Sequence, residues 1–141
     1  MAAVNSRRVW IGALAGGVVW NLWSMAIGFT LLMPRYEAAQ QAGQFLKEPR
    51  YPFFIGLWII TLFLLSYVVA WLYVSARATL GVGPGTALKI GLLVGFVAGF
   101  PGALGASTWA TYSRIIPLGQ MLEMWVGAIL ATLVAGWLYR D

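Results

Sequence analysis

Four long apolar runs, separated by short polar or glycine-rich segments, constrain the fold of this chain more than any other feature. They cover approximately residues 9–33, 53–74, 87–112 and 121–139. At 1.5 Å per helical residue, each run is close to or above the length that crosses a hydrocarbon core of about 30 Å. Only 9% of the side chains are charged and 61% are hydrophobic, so a soluble fold would lack a polar surface. We therefore predict an all-α integral membrane protein, built as a four-helix bundle in a single domain.

The connections between the runs differ in length. The longest extends from Pro34 to Pro52, and within it residues 37–48 place apolar and polar side chains on different helical faces. This pattern predicts a short amphipathic helix on the membrane surface, with a disordered loop as the alternative. The prolines are expected to separate this segment from the spanning helices, because proline interrupts helical hydrogen bonding. Gly81–Gly85 predicts a tight turn, and Thr86 is placed to cap the third span.

Lines of small residues mark the third and fourth spans. In the third span, every fourth position is small: Gly91, Gly95, Gly99, Ala103 and Ser107. Residues four apart share one face of a helix, and in a membrane such a face lets a neighbouring helix approach closely. The fourth span carries a second line, formed by Gly127, Ala131 and Ala135, which we predict to be its partner. Pro101 predicts a kink in the third span.

The two halves of the chain are similar to each other. Segments 11–18 and 90–97 open the first and third spans with similar sequences, and a Trp-Leu-Tyr motif closes the second and fourth spans. Each half would form a helical hairpin with the same orientation, which predicts a pseudo-two-fold axis along the membrane normal. Chance similarity between apolar segments is the alternative. The membrane face that carries both termini holds five of the nine Lys and Arg side chains, which favours cytoplasmic termini.

Three polar residues in or near the spans are candidate contact sites. Asn21 lies at the midpoint of the first span and is expected to hydrogen-bond to a neighbouring helix, with ligand contact as the alternative. Glu123 lies near the predicted start of the fourth span, where the helix dipole favours a carboxylate. Arg114 lies on the same membrane face and is expected to pair with it. The alternative role for this carboxylate is a proton or cation gate.

The chain contains no histidine and no cysteine. Histidine is the commonest metal ligand and the usual general base, and cysteine is the usual thiol nucleophile. We therefore expect no catalytic activity, no metal site and no cofactor. The cations are scattered at the ends of apolar runs, which is typical of side chains that reach the interface beside membrane lipids. Nucleic-acid binding would need a basic stripe on one face, so no nucleic-acid partner is expected.

Several motifs carry a resemblance to a known family. Trp71–Tyr73, Gly81–Leu88 and Leu130–Asp141 resemble the corresponding parts of a family of uncharacterised bacterial four-helix membrane proteins. The resemblance covers all four spans and implies a location in the bacterial inner membrane, without an established activity. Members often carry acidic residues inside the first and fourth helices. Here Asn21–Ser24 has none, and the fourth span has only Glu123.

The residues favour two functions. The first is a non-catalytic accessory subunit that packs through its small-residue faces against a larger membrane complex, for example a respiratory or photosynthetic one. Other membrane subunits or further copies of the chain would then be its partners. The alternative is a small oligomeric transporter or channel, which the internal repeat and the kinked helix favour. The lack of a charge at mid-membrane depth argues against that alternative, because most ion pathways need one.

Overall fold

The computed structural model describes residues 3–139, and this range contains helices and no strand. The helices are α1 Ser6–Ile27, α2 Met33–Gln41, α3 Phe54–Leu80, α4 Pro84–Trp109 and α5 Ile115–Leu138. A π-helical turn, Gly28–Leu32, joins α1 to α2, so that Ser6–Gln41 forms one continuous rod. This rod and the other three helices are long and apolar enough to cross a membrane. The predicted all-α, four-helix membrane fold is confirmed, and the pseudo-two-fold axis stays a prediction.

The outer faces of the helices carry large apolar side chains. Leu93 and Val97 on α4 are 65% and 73% exposed, and Ile55 on α3 is 73% exposed. A water-soluble protein rarely displays such surfaces over its whole length, whereas acyl chains would cover them in a bilayer. The chain is therefore a multi-pass membrane protein. Arg140 and Asp141, which end the C-terminal motif, lie outside the described residues.

The polar segment after the first span differs from the prediction. Helix α2 ends at Gln41, so no separate surface helix covers residues 37–48. Pro34 does not divide the rod. The helix continues past it through the π-helical turn, in which the Met33 N–H donates to the Gly28 carbonyl, five residues back. This wide turn accommodates a residue that has no N–H of its own to donate. The 36-residue rod is about 54 Å long and extends beyond a hydrocarbon core of about 30 Å.

The irregular loop that follows, residues 42–53, is attached to the end of the bundle. The Gln44 side chain donates to the Thr111 carbonyl at 2.9 Å. The Phe45 ring lies between Tyr36 and Tyr112, with centroid distances of 5.6 and 4.8 Å. The loop thus connects α2 to the link between α4 and α5.

Helix α4 packs on α5 through its line of small residues. A Cβ atom added at Gly91 would lie 2.6 Å from Ile129 Cα. At Gly95 it would lie 2.9 Å from Trp125 Cα, and at Gly99 it would lie 3.2 Å from the Met121 carbonyl oxygen. The two backbones therefore approach each other as a small-residue face permits. Ala103 is buried as well. Ser107 is only partly buried, and its hydroxyl donates to the Leu104 carbonyl within α4.

The second line of small residues does not face α4. It packs on α1, where Gly127 meets Trp20, Ala131 meets Gly16, and Ala135 meets Gly12. Successive helical residues are rotated by about 100°, so residues 125 and 127 lie on nearly opposite faces of α5. Helix α5 thus presents small residues to α1 and bulky residues to α4. The two small-residue lines do not pair with each other as predicted.

Tyrosines close the end of the bundle that carries both termini. The Tyr139 hydroxyl accepts the Asn5 N–H at 3.0 Å, and the Tyr73 hydroxyl accepts the Gly83 N–H at 3.2 Å. Both tyrosines belong to the Trp-Leu-Tyr motifs and are buried, whereas the tryptophans of the same motifs are exposed. Each motif therefore combines an outer aromatic anchor with an inner hydrogen-bond acceptor.

The turn between α3 and α4 is built differently from the sequence expectation. The N-cap of α4 is Gly83, with φ of 130°, and Thr86 lies inside the helix. The Thr86 hydroxyl donates to the carbonyl of Gly81 at 2.7 Å and to that of Leu80 at 3.2 Å. Because the last carbonyls of a helix lack partners within it, Thr86 stabilises the end of α3 and not the start of α4.

Candidate functional site

A cavity of about 580 Å³ lies in the half of the bundle away from both termini. Its walls come from the end of α1, the π-helical turn, α2, the first turns of α3, the second half of α4 and the first half of α5. Phe54, Ala98 and Gly102 line it and are exposed, so the cavity opens sideways between α3 and α4. Its volume falls within the range of about 300–1,000 Å³ that is usual for ligand sites.

Two irregular helical segments border this cavity. Gly28 and Leu32, the two ends of the π-helical turn, lie on one side. On the other side, Gly99, Gly102 and Ala103 surround Pro101 in α4. A π-helical turn and a proline each interrupt the regular hydrogen-bond ladder of a helix, and the small residues beside Pro101 leave the space that the cavity occupies.

Among the described residues that line the cavity, Glu123 is the only acidic one. It is 7% exposed. Its Oε1 accepts the Ser24 hydroxyl at 2.6 Å, and the carboxyl group also interacts with the Trp58 indole N–H. The same indole N–H donates to Ser24 Oγ, with a nitrogen–oxygen distance of 3.3 Å. Within residues 3–139 no cationic side chain forms an ion pair with Glu123.

The environment of Glu123 differs from the sequence expectation. Helix α5 begins at Ile115, because Pro117 is tolerated in a first turn that needs no N–H donor. Glu123 therefore lies in the third turn, beyond the reach of the helix-dipole effect. Arg114 is the exposed N-cap, about 13 Å away along the helix axis. The expected ion pair between Arg114 and Glu123 is not formed.

Asn21 is buried, with 8% exposure, but it does not connect two helices as expected. Its Nδ2 donates to the Gly17 carbonyl at 2.8 Å, one turn earlier in α1. Asn21 is also not among the residues that line the cavity. The structure thus places two of the three candidate polar residues outside the site, and only Glu123 within it.

Two residues beside Glu123 were not identified from the sequence. Ser24 is 99 positions from Glu123 in the chain and 34 positions from Trp58. No local motif relates residues so far apart, and a tryptophan in an apolar run is usually a lipid-facing anchor. At the outer end of the cavity, Gln120 Nε2 donates to the Tyr36 hydroxyl at 2.8 Å.

The site offers groups that can bind a ligand. No group of three or more acidic, His or Cys side chains in the described part of the chain could hold a metal ion. The carboxyl group accepts hydrogen bonds, and the walls offer aromatic rings, thioethers and glycine backbone. Such a combination of an apolar pocket with a few polar groups is typical of small-ligand sites.

Comparisons of the chain with models of known families, with characterised proteins and with solved structures found no match.

Proposed function

We propose that this multi-pass membrane protein is a small transporter that binds a solute in the cavity beside Glu123. The observation that supports the proposal is a buried carboxyl group without a cationic partner, facing a cavity that opens between two spanning helices. Ionisable groups inside membrane segments are costly, and they mark substrate or ion pathways more often than structural contacts.

The depth of the site also supports transport. Glu123 lies eight residues into α5, about 12 Å from the start of that helix. The main objection raised by the sequence was the lack of a charge inside the membrane, and it depended on placing Glu123 at the very start of the span. The π-helical turn and Pro101, which lie beside the cavity, are local irregularities in helices that are otherwise continuous, and irregular helices often line sites in transporters.

Vesicle transport measurements with a variant at the cavity opening test this proposal. The full chain is reconstituted in liposomes, and uptake is measured for ethidium, anilinonaphthalenesulfonate and glycerol, which represent a cation, an anion and a neutral solute. Gly102→Leu places a bulky side chain at the opening of the cavity. Gly105→Leu is the matched control, because Gly105 lies on the same helix, has no atom within 4 Å of its Cβ position and does not line the cavity.

We expect at least one solute to enter faster than in protein-free vesicles, and we expect Gly102→Leu but not Gly105→Leu to abolish the difference. The proposal fails if no solute enters faster, or if the two variants behave alike.

The accessory-subunit hypothesis remains the second candidate, and one observation favours it. Gly102 and Gly105 are exposed on α4 and have no atom within 4 Å of their Cβ positions, so this face is open to another helix. The other small-residue lines are already covered by α1 and α5. Purification in a mild detergent from the native membrane, expected to be the bacterial inner membrane, separates the two functions. A stoichiometric set of other membrane proteins would favour the subunit, and a single species would favour the transporter.

A further inference from the structure

We infer that the cavity beside Glu123 accepts a monovalent organic cation that carries aromatic or alkyl groups. This inference depends on the proposed transport function and names the class of solute. Three features of the cavity carry it: the charge of its walls, the direction of the hydrogen bonds at the carboxyl group and the aromatic rings around it.

The charge balance of the walls favours a cation. Within the described part of the chain, one carboxyl group and no Lys or Arg side chain line the cavity. In a low-dielectric environment an ionised carboxylate is costly unless an opposite charge compensates it. Since no cationic side chain among residues 3–139 pairs with Glu123, a bound cation is the species that would complete the pair.

The hydrogen bonds show that the carboxyl group is held as an acceptor. The Trp58 indole N–H can only donate, and the Ser24 hydroxyl donates to Glu123 Oε1 at 2.6 Å. Hydrogen bonds donated to a carboxyl group favour its ionised form, whereas burial favours the neutral form, so a bound cation would supply the compensation that the ionised form needs. The ionised group would repel an anionic ligand, and only a cation would compensate its charge.

Aromatic rings complete a cation-binding environment. Tyr36, Phe54 and Trp58 line the cavity near the carboxyl group, and the rings of Phe54 and Trp58 are stacked with a centroid distance of 6.0 Å. Organic cations bind over the faces of such rings. Met121 and Met124, which line the cavity from the same helix as Glu123, are flexible side chains that adapt to bulky substituents. A bare metal ion is a poorer fit, because hard cations need several oxygen ligands.

The test uses two ions of the same shape and opposite charge, tetraphenylphosphonium and tetraphenylborate. Binding of each to the full chain in lipid nanodiscs is measured by equilibrium dialysis, with protein-free nanodiscs subtracted. We expect saturable binding of the phosphonium cation and none of the borate anion.

A pair of charge-removing variants locates the site. Glu123→Gln keeps the size of the side chain and an oxygen that accepts from Ser24, and it should weaken phosphonium binding by about thirtyfold. Glu37→Gln is the matched control, because it removes the same charge from an exposed position on α2 and should leave binding unchanged. If Glu123→Gln does not fold, Trp58→Leu serves instead, since it removes an aromatic wall and the indole N–H beside the carboxyl group without changing any charge. Loss of that ring should weaken binding by about fivefold.

Borate binding equal to phosphonium binding would overturn the inference, and so would full phosphonium binding by Glu123→Gln or by Trp58→Leu. Failure of the two proposals can be told apart. If phosphonium does not bind but transport of glycerol or of the anionic dye is still lost in Gly102→Leu, the cation assignment is wrong and transport stands. If neither binding nor transport is found, both are wrong.

Discussion

Replacing Gly91 with alanine is the sharpest test of how this bundle is held together. The added methyl group would lie 2.6 Å from Ile129 Cα and 3.2 Å from the Ala128 carbonyl oxygen. These are backbone atoms of α5, so no side-chain rotation can relieve the contact. The two helices must separate locally for the variant to fold.

The size of the effect follows from two opposing contributions. Bringing the 2.6 Å contact to an ordinary separation of about 3.5 Å requires a displacement of about 0.9 Å. Overpacking of this kind costs about 1–3 kcal/mol. Alanine also has a higher helix propensity than glycine, which offsets up to about 1 kcal/mol of this cost. Gly105→Ala measures the propensity contribution alone, because its Cβ position on the same helix has no neighbour within 4 Å.

The assay is the free energy of unfolding in mixed micelles, obtained by titration with a denaturing detergent and followed by tryptophan fluorescence. We expect Gly91→Ala to be less stable than Gly105→Ala by about 1–3 kcal/mol, with Gly105→Ala equal to or more stable than the wild type. A difference within about 0.5 kcal/mol, the range of ordinary surface substitutions, would refute the close backbone packing of α4 on α5.

Three further variants test individual hydrogen bonds with the same titration. Ser24→Ala leaves the Glu123 carboxyl group with one donor fewer, and we expect a loss of about 1–3 kcal/mol; wild-type stability would show that the donor is dispensable. Tyr139→Phe keeps the ring and removes the acceptor of the Asn5 N–H, for an expected loss of about 0.5–1.5 kcal/mol; a loss much larger than this would mean that the ring itself is displaced. Thr86→Val removes the donor to the carbonyls at the end of α3, and it should cost about 1 kcal/mol and speed proteolysis of the following turn. Unchanged proteolysis would contradict this role.

The four spans could be predicted from composition alone, because the length of an apolar run and the thickness of a bilayer are both local quantities. The close packing of the line that begins at Gly91 could also be predicted. A helix face with only small side chains permits close approach, and this does not depend on which helix approaches it. The boundaries were less predictable. Pro34 suggested a helix end, but a π-helical turn accommodates it. Helix α5 begins at Ile115, six residues before the predicted start of the fourth span, with Pro117 in its first turn.

Which faces meet, and what surrounds Glu123, were decided only by the tertiary structure. In a soluble helix, hydrophobicity separates the inner face from the outer face, but in lipid both faces are apolar and the pattern carries no such information. The rotation of α5, which turns Gly127 toward α1 and Trp125 toward α4, therefore depends on the fit of all the helices together. The same rotation brings Ser24 and Trp58 to Glu123 across 99 and 65 positions of the chain, and no local signal in the sequence encodes such a distance.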